Sequence, residues 1–273
     1  TKNAWFLHWV NKQIILFNLI KLKIFNLIID YKIPDLVFVK TANIFFLLKG
    51  KSYRFRVSIK RIETEPKYEI IDFITQDIKK FNFRKQGLMA FKDGISKRGD
   101  IIGNAYMLNN IQFNDNDIIF DIGANTGDLF IYFNNHNKAI NYYGFEPGIF
   151  EFNCLKENIK SNNLYQMAVG NVNTEKDFFY NPEFGDSSLI KMHGYESSYK
   201  VKVVTLSTFI KNNLLENSKI KLLKLEAEGF EPEILEGIGD EIINIEYISA
   251  DLGFERGYAQ DTTLPNATNF LFS

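Results

Sequence analysis

From residue 117 onward the hydrophobic pattern alternates between two kinds of segment. Short apolar runs, such as Ile118-Ile-Phe-Asp-Ile122, Ile220-Lys-Leu-Leu-Lys-Leu225 and Tyr247-Ile-Ser-Ala-Asp251, have the length of buried strands. Asn141-Tyr-Tyr-Gly-Phe-Glu146 reads the same way. Between them lie segments with apolar residues three and four apart, such as Ile149, Phe152, Leu155 and Ile159, which predict helices. Residues 164–169 predict a further strand, and the Tyr- and Ser-rich stretch 178–202 an antiparallel excursion. Residues 203–213 start extended and become helical. Pro232 stands where a helix begins, because its missing N–H has no intrahelical partner there. Repeated strand–helix units imply a parallel sheet with helices on both faces.

The front of the chain has a different rhythm. Residues 1–30 read as one or two amphipathic helices, packed against the body. Lys21, Lys23 and Asp30 interrupt them, so no run reaches the roughly 18–20 apolar residues of a bilayer span. Residues 31–62 read as extended, with strand-like or buried runs at 36–39 and 44–48 and period-two alternation over 53–59. Tyr68, Ile71, Ile74 and Ile78 predict a helix within 66–82. Gly87, Gly94, Gly99 and Gly103 interrupt regularity over 83–113. The polar turn Asn114-Asp-Asn-Asp117 marks the boundary between a basic extension, 1–113, and a second domain, 114–273. The chain stops just after an apolar pattern, which reads as a domain lacking its last strands.

Charge sharpens this division. Residues 1–62 carry twelve Lys/Arg against two Asp/Glu, a net +10, and residues 114–273 carry twelve against 24, a net −12. A basic, aromatic-rich front implies an anionic partner, either a membrane surface or a polyanionic glycan, with nucleic acid ranked below both. The competing reading is a basic face that complements the acidic body. No cleavable leader pattern stands at the front, so the expected location is cytoplasmic, with peripheral attachment to a membrane as the variant. A single cysteine, Cys154, excludes an internal disulfide framework, and His8, His136 and His193 are too scattered for a histidine metal site, so no metal is expected.

The chemistry concentrates at strand ends, where open parallel sheets bind ligands. Asp121-Ile-Gly-Ala-Asn-Thr-Gly127 joins a strand to a helix. Gly123 and Gly127 permit a tight turn and close ligand approach. Asn125 occupies the position where a dinucleotide fingerprint needs its second glycine, which argues against a pyrophosphate cradle. Glu146 ends the next strand, where a carboxylate can accept hydrogen bonds from both ribose hydroxyls. A glycine loop and an acidic strand end without a phosphate cradle point to S-adenosylmethionine.

These stretches resemble class I methyltransferases, specifically the FkbM-type family. The matching blocks are Asp121-Ile-Gly-Ala-Asn-Thr-Gly-Asp128, Gly144-Phe-Glu-Pro147, Ala168-Val-Gly170, Asp186-Ser-Ser-Leu189, Val204-Thr-Leu206 and Leu223-Lys-Leu-Glu-Ala-Glu-Gly-Phe-Glu231. Asp251-Leu-Gly-Phe-Glu-Arg-Gly257, Tyr106-Met-Leu and Arg98-Gly-Asp100 are similar to segments of a subset acting on surface glycans. The resemblance implies an α/β fold with a Rossmann-like methyltransferase sheet, preceded by a mixed α/β extension. It also implies S-adenosylmethionine as cofactor and O-methylation of a sugar hydroxyl in a glycan or glycoconjugate. Asp121, Gly123, Asn125, Gly127, Glu146, Pro147, Ala168, Val169, Asp186 and Ser187 become the expected cofactor contacts. Glu226 and then Glu228 are the expected catalytic carboxylates, as general base or as acceptor of the substrate hydroxyl. The family usually carries Asp at 226, and the longer Glu226 changes the reach. Lys224 could neutralise one of these carboxylates or extend along the strand edge, and Asp251 and Arg256 could meet the sugar or its acid group. The rival readings are a nicotinamide-dependent oxidoreductase and a non-enzymatic glycan- or partner-binding domain.

Overall fold

The structure is a computed structural model. It describes residues 19–20, 23–24, 34–51, 55–62, 65–72, 78–82, 84–181, 187–195, 197–215 and 218–272. The chain divides into two compact units, Thr1–Ile95 and Ser96–Ser273, a division that falls earlier than the 113/114 boundary of the sequence pattern.

In the first unit, helix α1 (Asp35–Leu48) replaces the extended runs expected over 36–48. Its buried residues, Phe38, Thr41, Ala42, Phe45 and Phe46, recur at helical spacing. Apolar runs of four or five residues look alike in a strand and in a buried helix, so length alone misled. Strand β1 (Phe55–Ile62) agrees with the period-two pattern. The helix expected within 66–82 is instead strands β2 (Glu65–Asp72) and β3 (Ile78–Asn82). β2 pairs antiparallel with β1 from Phe55↔Asp72 to Ile62↔Glu65, and Ser58 Oγ donates to Glu69 Oε2 across the pair at 2.8 Å. Tyr68, Glu69, Ile70 and Asp72 all lie buried, so β2 is covered on both faces and shows no clear period to the sequence. A short helix, α2 (Lys85–Met89), follows. The helices expected over 1–30 fall outside the described residues, except that 19–20 and 23–24 are helical. No described helix is long and apolar enough to cross a membrane.

The second unit begins on helix α3 (Ile95–Ala105), where broken structure was expected. Gly99 and Gly103 are one turn apart and form its packing face. A Cβ on Gly103 would lie 2.2 Å from the Tyr132 ring, and one on Gly99 would lie 2.9 Å from Ile131, both on helix α4 (Asp128–Asn135). At these points the α4 side chains Tyr132, Ile131 and Asn135 pack directly onto the α3 backbone. Asn135 Nδ2 also donates to Ser96 O at 2.7 Å.

The central sheet contains β4 (Ile118–Ile122), β5 (Asn141–Phe145), β6 (Leu164–Tyr165), β11 (Ile220–Leu225) and β12 (Ile245–Ala250), in the order β12-β11-β4-β5-β6 and parallel throughout. Order reverses between β4 and β11, which makes their carboxyl ends the switch point. Helix α5 (Ile149–Asn158) links β5 to β6. One face buries Phe120, Phe145, Leu223 and Leu225 against helices α6 (Leu206–Asn213) and α7 (Glu231–Glu236). The other buries Ile119, Tyr142 and Leu222 against α4 and α5.

The single strand expected at 164–169 is two, because the chain leaves the sheet at Met167. β7 (Ala168–Val169) joins a second sheet of order β7-β10-β8-β9, with β8 (Thr174–Tyr180), β9 (Ser187–Ser188) and β10 (Ser197–Val204). β8 pairs antiparallel with β10, as the excursion predicted. After β10 the chain becomes helical at once, with Thr205 capping α6 by accepting from Thr208 N at 3.2 Å. A small ladder of β13 (Phe254–Arg256) and β14 (Asp261–Thr262) leads to α8 (Leu264–Phe272).

Candidate functional site

Strand register assembles the site. Asp121 of β4 lies directly opposite Lys224 of β11 and Gly144 of β5. Asp121 and Lys224 are almost completely buried. Lys224 Nζ stands 3.0 Å from Asp121 Oδ1 and 2.9 Å from Glu226 Oε2, and donates to Gly123 O at 2.8 Å. Lys224 is therefore no strand-edge extension; it joins two carboxylates and a loop carbonyl. On the other side, Tyr142 donates its hydroxyl to Asp121 Oδ2. Gly144 makes this possible, since a Cβ there would lie 2.9 Å from the Tyr142 ring.

The glycine loop is shaped by its neighbours. Gly123 has φ +73°, and a Cβ on it would lie 1.8 Å from the Glu226 carbonyl oxygen. Both facts demand glycine. Gly123 N and Ala124 N donate to Phe145 O, each at 3.0 Å, which ties the loop to the end of β5. Asn125 is left-handed at φ 48° and exposed. Gly127 precedes α4 at φ +84° and packs against Leu155 and Ile159.

Glu146 lies at the adjacent strand end, also buried. Its Oε2 accepts from Asn125 N at 2.8 Å and its Oε1 from Gly148 N at 2.7 Å. A Cβ on Gly148 would meet both Glu146 Oε1 and Glu151 Oε2, so two buried carboxyls share this corner. Burial and the like charge of Glu151 push the Glu146 carboxyl above the usual carboxylate range, against the pull of the two N–H donors. Glu226 behaves oppositely. Partial burial acts to raise it, but Lys224, the Tyr106 hydroxyl and Arg98 overcome this and hold it below the ordinary value. Its side chain remains 43% exposed, open to a ligand. Burial acts to lower the Lys224 ammonium, and the charges of Asp121 and Glu226 outweigh it, so Lys224 stays firmly protonated.

Asp121, Gly123, Asn125, Gly127, Glu146 and Glu226 thus lie along the carboxyl ends of β4, β5 and β11, with Pro147 half-buried beside Glu146. The other predicted residues are arranged differently. Ala168 and Val169 turn their side chains into two separate apolar clusters. Ser187 lies on β9, half-buried, paired with Tyr180, and Asp186 lies outside the described residues. Glu228 sits in a left-handed conformation at φ 49°, and its carbonyl accepts from Ser188 Oγ at 2.8 Å. The loop before α7 is held by Glu231, which accepts from Ala227 N at 2.7 Å. Arg256 is tied to Glu233 and to Gly229 O, and Asp251 Oδ1 accepts from Gly253 N at 3.2 Å. His193 is exposed against Tyr258, and Cys154 is a buried free thiol.

The order of these strand ends is matched by a known family. Its description is Methyltransferase FkbM domain, and it matches residues 121–263, just over half of the chain. The chain belongs to this family. The FkbM match begins at Asp121 and includes Glu146, Lys224 and Glu226. Among solved structures, the chain is similar to the methyltransferase FkbM of Methylobacillus flagellatus KT, with 15% identity and a TM-score of 0.40. That likeness covers 59% of this chain and 38% of the other, so the chain matches well under half of that protein's length. Comparison with curated proteins finds no match.

Two site residues escape the sequence motifs. Tyr142 could have been found from its place two residues before Gly144, on the same face of β5 as Asp121's partner position. Tyr106 lies outside the family match; the sequence marks it only within Tyr106-Met-Leu and gives it no role, whereas its ring lies 5.4 Å from Lys224 Nζ.

Proposed function

We propose that this FkbM-domain chain transfers a methyl group from S-adenosylmethionine to a hydroxyl of a sugar in a glycan or glycoconjugate. The observation that carries the reading is the row of carboxylates at the switch point. Asp121, Glu146 and Glu226 end three of the sheet's strands, and Lys224 alone among the described strand-end residues balances two of them. The corner fits a cationic, ribose-bearing ligand. Its acidic groups outnumber its cations, Gly123 and Gly127 open the backbone, and Glu146 is buried beside the loop.

Glu146 would hold the ribose hydroxyls, and Asp121 with the loop residues Gly123, Asn125 and Gly127 would hold the amino-acid portion. Pro147, Ser187 and Asp186, with the backbone at Ala168 and Val169, would border the adenine. When bound, the cofactor supplies an electrophilic methyl on a sulfonium. The chain's own contribution is positioning, which can account for much of such a rate. Glu226, ionised and partly open, would accept the hydrogen of the sugar hydroxyl and aim its oxygen. Because Lys224 holds it ionised, Glu226 orients more strongly than it abstracts. Glu228 stands second for that role.

Calorimetry with S-adenosylmethionine and NAD, followed by transfer of labelled methyl to purified glycans, tests the reading. Binding of S-adenosylmethionine and label in a sugar O-methyl group are expected. Tight NAD binding without S-adenosylmethionine binding would overturn it in favour of an oxidoreductase.

A further inference from the structure

Helix α1 of the first unit is apolar on two faces. The inner face is fixed on the β1–β2 pair. Ring centre to ring centre, Phe46 lies 5.5 Å from Phe55 and Phe38 lies 5.6 Å from Tyr68. Asn43 exchanges two hydrogen bonds with the Val57 backbone, at 2.9 and 3.0 Å. With that face turned inward, Leu36, Lys40, Ile44 and Leu47 fall in a line along the outer one, at spacings of four, four and three, with Val37 beside them. Leu36 is 72% exposed, Leu47 61%, Ile44 47% and Val37 40%, and Lys40 is exposed among them. An ordinary surface helix carries polar residues on this face. Single exposed leucines are common, but a stripe of four apolar side chains around one lysine marks a contact surface.

The charge around the stripe decides what it meets. The carboxylates beside the helix ends are matched by lysines: Asp35 by Lys85 at 3.0 Å, and Asp93 by Lys49 and Lys51 at 3.1 and 3.5 Å. Residues 1–62 as a whole carry a net +10. We propose that the outer face of α1 docks on an anionic lipid surface, with Leu36, Val37, Ile44 and Leu47 entering the boundary between headgroups and acyl chains and the basic residues held at the headgroups. A polyanionic glycan would use the charge and leave the apolar stripe in water, whereas a lipid surface uses both. With 14 residues α1 is too short to cross a bilayer, so it lies in the plane of the interface. Lys40 then extends its ammonium to the headgroups along an apolar stem. None of this depends on the chemistry at the strand ends of the second unit.

The experiment is co-sedimentation of the full chain with vesicles of phosphatidylcholine alone and of equal parts phosphatidylcholine and phosphatidylglycerol. Binding to the mixed vesicles should be at least about tenfold tighter, and added salt should weaken it. Leu36→Gln combined with Leu47→Gln keeps good helix formers at exposed positions, so the melting temperature should hold. This double variant should bind the mixed vesicles about tenfold or more weakly than the wild type. Lys40→Glu, a second exposed change, should weaken binding about fivefold or more. Absence of wild-type binding to the mixed vesicles overturns the proposal, as does binding that the double variant leaves unchanged. Retention on immobilised dextran sulfate, equal in wild type and double variant and without vesicle binding, would point to a glycan surface. Self-association seen by light scattering, lost in the double variant and without vesicle binding, would point to a second copy of this chain. Either result overturns lipid docking.

Discussion

Two corners of the same switch point handle negative charge in opposite ways. On the β4–β11 side, Asp121 and Glu226 share Lys224, at 3.0 and 2.9 Å, and Glu226 is held in its ionised form. On the β5 side, Glu146 and Glu151 are buried together with backbone N–H donors as the nearest support, and the Glu146 carboxyl is pushed upward. The strands are parallel and adjacent, so topology does not cause the difference. It comes chiefly from Lys224, the register partner of Asp121, on one side and from burial and the like charge of Glu151 on the other. The ionised side suits a partner that donates hydrogen bonds to an anion. The other side holds a carboxyl whose protonation is sensitive to what binds it, as a ribose contact would be.

The sharpest way to break the comparison is Lys224→Met. It leaves Asp121 buried without its cation, and breaking such a pair costs about 3–5 kcal/mol. Urea unfolding at neutral pH should show this loss. Next in size is Gly123→Ala, with φ +73° and the Glu226 carbonyl in the way. A left-handed non-glycine residue alone costs about 1–2 kcal/mol, and displacement of the Glu226 backbone adds to it. Stability and S-adenosylmethionine affinity should therefore fall together.

These two expectations also separate what the sequence discloses from what it hides. The parallel sheet, the glycine loop, Glu146 and Glu226 were legible because short apolar strands, glycine spacing and strand-end acids are local signals. The role of Lys224 was ambiguous, because its partner is more than a hundred residues away and only register brings the two together. Tyr106 was noted within Tyr106-Met-Leu, but its place beside Lys224 was hidden: it depends on Gly99 and Gly103 acting as a packing face, and in the sequence they look like helix breakers. In the first unit, 36–48 and 66–82 were assigned the wrong element, since apolar runs and mixed spacing fit both a strand and a helix until their packing partners are known.

Glu146→Gln sharpens the other side. The folded Glu146 carboxyl is raised above its unfolded value, so its favourable contribution is present at low pH and is lost as pH rises through the raised value. The wild type should therefore lose stability relative to the Gln variant between the ordinary carboxyl range and mildly alkaline pH. Equal slopes in denaturation series at several pH values would remove the contrast. Smaller still, Ser188→Ala removes two hydrogen bonds, its donation to the Glu228 carbonyl and its acceptance from Ile190 N, and should cost about 1–2 kcal/mol in urea unfolding. His193→Ala, at an exposed position, should stay within about 0.5 kcal/mol.

The division of labour between the two corners is tested most directly by calorimetry with S-adenosylhomocysteine, comparing Glu146→Ala and Glu226→Gln at one pH. Removing a buried carboxyl that holds the ribose leaves its hydrogen-bond partners unsatisfied and costs roughly 1–3 kcal/mol, about five- to hundredfold in affinity. Glu146→Ala should show that loss, while Glu226→Gln should remain within about threefold of the wild type. The reverse order, with affinity lost in Glu226→Gln and kept in Glu146→Ala, would contradict the account.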